Sequence, residues 1–272
     1  NTLTGGIFRG TPLPILDIDP AQTLCFGVFW GMHLYFIRHG TASIRWLETL
    51  AAPVLLVMAL ALLGWAYVEA DGFGPMLSAP SQFVAGGARE GQLWPTFFMG
   101  LTAMVGFWAT MALNIPDFTR FARSQKDHLL GQALGLPVPM ALFSFIAAAV
   151  TSASVVIYGE PIGNPIELAG RMGGVGVVVA LAFLVLATLT THLAANLVAP
   201  AYGFSNLAPS RISFRAGGYI TAGIGIAMFP WKLMATAGDY IVTWLVGYSA
   251  LLGPIAGILI VDYFFLRRTH LV

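Results

Sequence analysis

Hydrophobic residues along the chain gather into seven long runs, at roughly 22–37, 48–68, 94–115, 136–158, 173–201, 216–233 and 240–265. A helix that crosses the hydrocarbon core of a bilayer needs about 20 mostly apolar residues. Loops and open sheets would leave unpaired backbone groups in lipid, so each run is expected to be a transmembrane helix. The gaps carry loop punctuation: Gly72, Gly74 and Pro75, then Gly86 and Gly87, then Pro161 to Pro165, then Pro209.

Composition supports the same class. Hydrophobic residues make up 57% of the 272 and charged residues only 9%, whereas soluble domains carry about a quarter charged residues. There are too few charges to coat a water-facing surface, so the surface is expected to face lipid. A net charge of +1 gives no nucleic-acid footprint. Cys25 is the sole cysteine, which excludes an internal disulfide and a cysteine metal site. The chain starts at Asn1 without a signal-peptide pattern and is expected to be a fragment, residues 1–272 forming a single transmembrane domain.

Lysine and arginine set the expected orientation. Alternate loops hold Arg38 and Arg45; Arg120, Arg123 and Lys126; Arg211 and Arg215; and Arg267 and Arg268. These nine residues oppose four, Arg9, Arg89, Arg171 and Lys232. The richer side should be cytoplasmic, with the C-terminal end inside, in a multi-pass protein of a bacterial inner membrane.

Polar groups at mid-membrane are costly and mark cavities or helix contacts. In the third run, Gly100 and Gly106 weaken the helix and Pro116 interrupts it near the cytoplasmic end. Trp108 lies beside that weak point, either as a flat face for a planar ring or as packing between helices. In the fifth run, Ala187, Thr190 and Thr191 share a narrow sector at 100° per residue, and His192 and Asn196 share an adjacent face at i, i+4. Two hydroxyls and a carbonyl suit a small cation, and an amide suits the N–H and C=O edge of a heterocycle. The same residues also serve as glue between membrane helices. The last run, with Gly247, Tyr248, Ser249, Gly253, Pro254 and Gly257, is bendable, which fits a gate or an ordinary membrane helix. Asp262, Arg267 and Arg268 are expected to anchor its end. No carboxylate lies deep in any expected span, and there is no Walker loop, His/Glu metal cluster or nucleophile elbow.

Long strings around these residues resemble the nucleobase:cation symporter-1 family. They are GFWATMALNIPDFTRFARSQKDHLLGQALGLP (106–137), LATLTTHLAANLVAPAYGFSNLAPSRISFRAGGYITAGIGI (186–226), FPWKL (229–233) and WLVGYSALLGPIAGILIVDYFFLRR (244–268). The resemblance implies an all-α, LeuT-like inverted-repeat fold, truncated so that about seven transmembrane helices, family helices 4 to 10, are present. It implies that Trp108, with Gly106 and Phe107, stacks on the substrate ring. Asn196 would hydrogen-bond that ring beside His192, which stands where many members have Asn. The Ala187 carbonyl and the Thr190 and Thr191 hydroxyls would form half of a sodium site. Tyr248, Ser249 and Gly253 would lie on a mobile outer gate.

The expected activity is secondary active uptake of a nucleobase or cyclic ureide such as allantoin, hydantoin, uracil or cytosine. It would be coupled to Na⁺ or H⁺, without enzymatic chemistry, cofactor or nucleic-acid partner, in a lipid-embedded monomer. An amino-acid carrier of the same fold and an uncoupled facilitator are the alternatives. A free carboxylate substrate should prefer half-helix N-termini to an Asn and a central Trp, which favours the ring.

Overall fold

The computed structural model describes residues 10–13, 16–78, 81–108, 110–232 and 238–270. Among them the chain is helical with no strand. It divides into two compact units, one of residues 1–79 with 121–229, the other of residues 80–120 with 230–272.

The first unit opens with α1 (Pro20–His39), started by a capping box in which the Asp19 carboxylate accepts from Gln22 N–H and the Gln22 side chain accepts from Asp19 N–H. Gly40, at φ +77°, turns the chain into α2 (Thr41–Glu69), which runs unbroken through Pro53. Next come the short α3 (Phe73–Leu77), in a segment that reads as a loop, and, in the second unit, α4 (Leu93–Trp108), α5 (Thr110–Asn114) and α6 (Pro116–Thr119), of which α4 and α5 carry the third expected run. Back in the first unit come α7 (Gln125–Gly135), α8 (Pro137–Tyr158), α9 (Pro165–Met172) and α10 (Gly174–Thr191). The α10 rod continues through a π-helical stretch, His192–Val198, into α11 (Ala199–Leu207), and α12 (Phe214–Ala227) closes the unit. The second unit ends with α13 (Gly238–Ile260) and a π-helical stretch, Val261–Leu266.

Every expected span falls on one of these helices, but not every helix is long and apolar enough to cross a bilayer by itself. Thr41–Glu69, Gln125–Tyr158, Gly174–Leu207 and Thr243–Leu266 are. The 20-residue α1 is diluted by polar residues such as Gln22 and His33, and Leu93–Trp108 is a shorter apolar helix. The run expected over 216–233 is interrupted, α12 ending at Ala227, because Phe229 takes φ +46° and Pro230 follows it. Residues 233–237 lie outside the described residues.

Lipid tails are as apolar as leucine, so these helices associate through close packing, not water exclusion. Small residues mark the seams. On α2, Ala51, Ala59 and Ala66 are buried, and Ala59 and Ala66 meet Ala149 and Ala153 of α8 in one cluster with Met76 and Ile146. A second cluster joins Phe36 and Ile37 of α1, Ile44 and Leu47 of α2, Leu189 of α10, and Leu193, Leu197 and Val198 of the π stretch. Ser154, fully buried, staples the turn after α8: its hydroxyl donates to the Thr151 carbonyl at 2.7 Å and accepts from Ile162 N–H at 2.7 Å. The turn itself uses Gly159 in the left-handed region, φ +80°. Outside, the Arg171 guanidinium pairs with Glu160 at 2.6 Å and Glu167 at 3.1 Å, and these two carboxylates raise its pKa further above its ordinary value.

A close seam of the first unit is α11 against α12. A Cβ added at Gly217 would run into the Ala201 carbonyl, whereas one at Gly225, further along the same helix, meets nothing within 4 Å. Gly217→Ala should therefore lower unfolding stability by about 1–3 kcal/mol, while Gly225→Ala should be neutral or stabilise by up to about 1 kcal/mol. Unfolding of the detergent-solubilised protein by increasing denaturant measures both.

Candidate functional site

The fifth rod carries the candidate cation ligands. Thr190 is 4% exposed, and its hydroxyl already donates to the carbonyls of Leu186, at 3.0 Å, and Ala187, at 3.1 Å. Two of the three groups read from the sequence as cation ligands are thus bonded to each other. Thr191 is exposed on the unit, and its hydroxyl bonds to no described residue. Thr188, the next hydroxyl back, donates to the Leu184 carbonyl at 2.7 Å.

Directly after Thr191 the helix loosens to the i→i+5 pattern of a π-helix, His192–Val198. Such stretches are rare and occur mostly at functional sites. Neither the periodicity nor the polar pattern of HLAANLV announces one, because a seven-residue stretch presents much the same apolar face in both windings. The His192 ring stands edge-on to His33, centroids 5.8 Å apart, and to Phe29 at 6.2 Å, so it faces α1. Asn196 is exposed on the unit, and its amide bonds to no described residue.

His33 was not singled out by the sequence reading. Its Nδ1 sits 2.8 Å from the Phe29 carbonyl. A carbonyl oxygen only accepts, so Nδ1 carries the proton there and Nε2 of the neutral ring is an acceptor. That Nε2 is buried without a partner. The signal was available: an ionisable residue inside an apolar run is a functional candidate by default.

Glu48 is a second group that the sequence reading left aside. The reading that no carboxylate lies deep in a span placed the start of the second span at residue 48. The helix starts at Thr41, so Glu48 sits seven residues in, about 10 Å along the axis. Its Oε1 is buried without a hydrogen-bond partner. The apolar run begins only after Glu48, because Arg45 and Thr49 dilute the first turns, and the helix extends beyond the run.

The second unit carries the aromatic candidates. α4 passes unbroken through Gly100 and Gly106, so the expected weakening by these glycines does not break it. Gly106 is buried instead, because the α13 backbone comes so close that an added Cβ would meet the Leu245 carbonyl. Phe107 is 53% exposed, and the half-buried Trp108, the last residue of α4, meets it edge-on at 5.2 Å. Ala109 lies outside the described residues. The interruption at Pro116 is present: Ile115 is a turn and Pro116 starts α6. Beyond it, burial pushes the Asp117 carboxyl up against the opposing pull of Arg120.

On α13, Tyr248 stacks on Trp244 with centroids 5.0 Å apart and planes 7° from parallel. The buried Ser249 donates its hydroxyl to the Val246 carbonyl at 2.6 Å. Gly253 has open space around it, and Pro254 lies inside the helix, which removes one ladder N–H from the carbonyl a turn earlier. Asp262, in the terminal π stretch, pairs at 2.7 Å with Arg267 just beyond it. A surface hollow of about 410 Å³, lined by Gly40, Thr41, Tyr202, Ser213, Phe214 and Arg215, contains none of the candidate residues. Among the described residues no group of three His, Cys, Asp or Glu side chains could hold a metal.

Long apolar helices, one of them loosened where its polar side chains gather, define a multi-pass helical membrane protein. Its fold is LeuT-like: the solved structure titled "Inward facing conformation of Mhp1" aligns with TM-score 0.61 and 28% identity, over 92% of this chain and 53% of that one. Residues 5–271 match the family described as permease for cytosine/purines, uracil, thiamine, allantoin, and the chain belongs to that family, nucleobase:cation symporter-1. The purine-uracil permease NCS1 of Arabidopsis thaliana is 47% identical over 95% of this chain and 42% of its own length. The allantoin permease of Bacillus subtilis (strain 168) is 40% identical over 94% of this chain and 52% of its own length. The hydantoin permease of Microbacterium maritypicum is 31% identical over 90% of this chain and 50% of its own. The chain thus spans about half the length of the relatives it matches.

Gly106→Ala should push α13 away from α4 and cost about 1–3 kcal/mol. Gly100→Ala has nothing within 4 Å to meet and should leave stability unchanged or raised. The midpoint of heat-induced aggregation in detergent separates the two.

Proposed function

We propose that the chain is part of a secondary active importer of a planar nucleobase or cyclic ureide, driven by a cation gradient across a bacterial cell membrane with its C-terminal end in the cytoplasm. The observation that carries this reading is the π stretch. It follows directly on Thr190 and Thr191 in an otherwise apolar rod, and it presents an Asn196 amide with no partner among the described residues. An amide donates and accepts at once, which matches the adjacent N–H and C=O of a uracil, hydantoin or allantoin ring. The names of the relatives, purine-uracil, allantoin and hydantoin permeases, point to the same class of cargo.

The other roles follow the chemistry of each group. In the first unit, Thr191 supplies a free hydroxyl to the cation. Thr190 orders the Ala187 carbonyl beside it, and His192 contributes through its contact with α1. In the second unit, Phe107 and Trp108 offer aromatic faces to the ring, and Tyr248, Ser249 and Gly253 lie on the helix proposed to move as a gate. Coupling arises because cation and cargo each bind one conformation better than the other.

The test uses the full-length protein in cells that lack their own nucleobase uptake. Labelled uracil and allantoin should enter and accumulate, and unlabelled planar rings should compete. Competition by amino acids alone would overturn the proposed cargo. Asn196→Ala should raise the half-saturating substrate concentration about tenfold or more, the cost of one or two lost hydrogen bonds in a dry site. An unchanged value removes Asn196 from the site. Thr191→Ala should raise the half-saturating cation concentration without lowering stability. Thr190→Ala should also destabilise the rod, because its hydroxyl is bonded inside the helix.

A further inference from the structure

Glu48 is a half-buried acid, with one carboxyl oxygen buried, that the proposed transport site does not use. It lies beside Leu47 on α2, and Ile44 and Leu47 belong to the buried cluster with Leu189, Leu193 and Leu197. That places the carboxyl next to the packing layer that surrounds Thr190 and the π stretch. Its Oε1 is buried without a partner, and Glu48 makes no hydrogen bond or ion pair with any described residue.

The elements packed against α2 bring little to neutralise it. α10 has no titratable residue, and α8 has only Tyr158, at its far end. The π stretch brings His192, which faces His33 and Phe29. α1 brings Cys25, His33, Tyr35, Arg38 and His39, and α2 itself carries Arg45, Tyr67 and Glu69; none of these bonds to Glu48. Arg45, three residues earlier on the same helix, is exposed. An ionised carboxylate here would have no hydrogen-bond or ion-pair partner and one oxygen shut off from water, a cost that the neutral acid avoids.

We propose that Glu48 is the proton-binding group of this transporter, so that the coupled ion is H⁺. Resting on the transport reading above, this narrows it from two ions to one. The carboxylate takes one proton when α2 packs as it does here. It returns that proton to water when the α2–α10 seam opens toward the cytoplasmic end, and no other bond forms or breaks. Arg38 and Arg45, on the loop side of Glu48, favour the ionised form once water reaches it.

The experiment uses the full-length protein in proteoliposomes, with labelled uracil and allantoin as probes. In the wild type, an inward proton gradient should drive accumulation well above equilibrium. Glu48→Gln, which fixes the neutral shape, should lose that accumulation at least tenfold yet still exchange labelled for unlabelled substrate. Undiminished proton-driven accumulation by the variant overturns the proposal, as does wild-type accumulation that follows sodium and ignores pH. In both outcomes the transport reading stands. A second measurement needs neither transport nor the variant. An apolar carbodiimide adds to protonated, membrane-buried carboxyls, and mass spectrometry of the wild-type protein should find the adduct on Glu48 at mildly acid pH and lose it at alkaline pH. Absence of label at every pH overturns the proton site. If neither ring compound is taken up while Glu48 is labelled as expected, the transport reading falls and the proton site remains.

Discussion

Hydrocarbon offers no hydrogen bonds, so every peptide N–H and C=O inside the bilayer must find its partner within the chain. This constraint makes the spans helical and leaves the helices little with which to hold one another. Apolar side chains gain almost nothing by leaving lipid for protein, and contact surface is what remains. The seams of the first unit follow from it. Ala59 and Ala66 face Ala149 and Ala153, and Gly217 lets α12 touch the Ala201 carbonyl. In the second unit Gly106 does the same for Leu245. Polar side chains are spent on the backbone: Thr188 and Thr190 bond to their own helix, and Ser154 and Ser249 bond to nearby carbonyls.

A polar group that is not spent in this way stands out. Along α10 and the π stretch the hydroxyls change role within a few residues. Thr188 and Thr190 are satisfied internally, whereas Thr191 and Asn196 have no partner among the described residues. The loosening at His192 begins where this change occurs. Opening the winding from i→i+4 to i→i+5 weakens the helix locally and alters which residues share a face, and a lipid-embedded helix tolerates that cost where a ligand or a packed neighbour compensates it.

How far the sequence predicts all this depends on the kind of information involved. The positions of the rods follow from hydropathy, because span length is set by the bilayer, and the break at Pro116 follows from the missing proline N–H. The site residues were named from long strings shared with a family, since hydroxyls, amides and indoles at helical spacing equally describe helix glue. Three features escaped for physical reasons. The π stretch has no residue-level signature. Gly106 reads as a helix breaker, yet it serves as a close contact, and only the neighbouring backbone tells the two apart. Glu48 was hidden because the apolar run and the helix are different lengths: Thr41 to Leu47 are helical but too polar to count as span.

The unpaired polar atoms of the first unit make a pattern that no single residue shows. His33 Nε2, Glu48 Oε1, the Thr191 hydroxyl and the Asn196 amide lie on α1, α2 and the α10–π rod, the three elements that share one buried cluster. Beside the other cluster, around Met76 and Ile146, the buried Ser154 bonds to the Thr151 carbonyl and to the N–H of Ile162, a member of that cluster. Two cores built by the same rules, in the same unit, thus differ in polar satisfaction. Thr191 and Asn196 are exposed on the unit, whereas His33 Nε2 and Glu48 Oε1 are buried, and an unsatisfied acceptor in a dry core is destabilising. The asymmetry marks this part of the unit, and its hydroxyl, amide, imidazole and carboxyl are the groups proposed above to bind a cation, a proton or a polar ring.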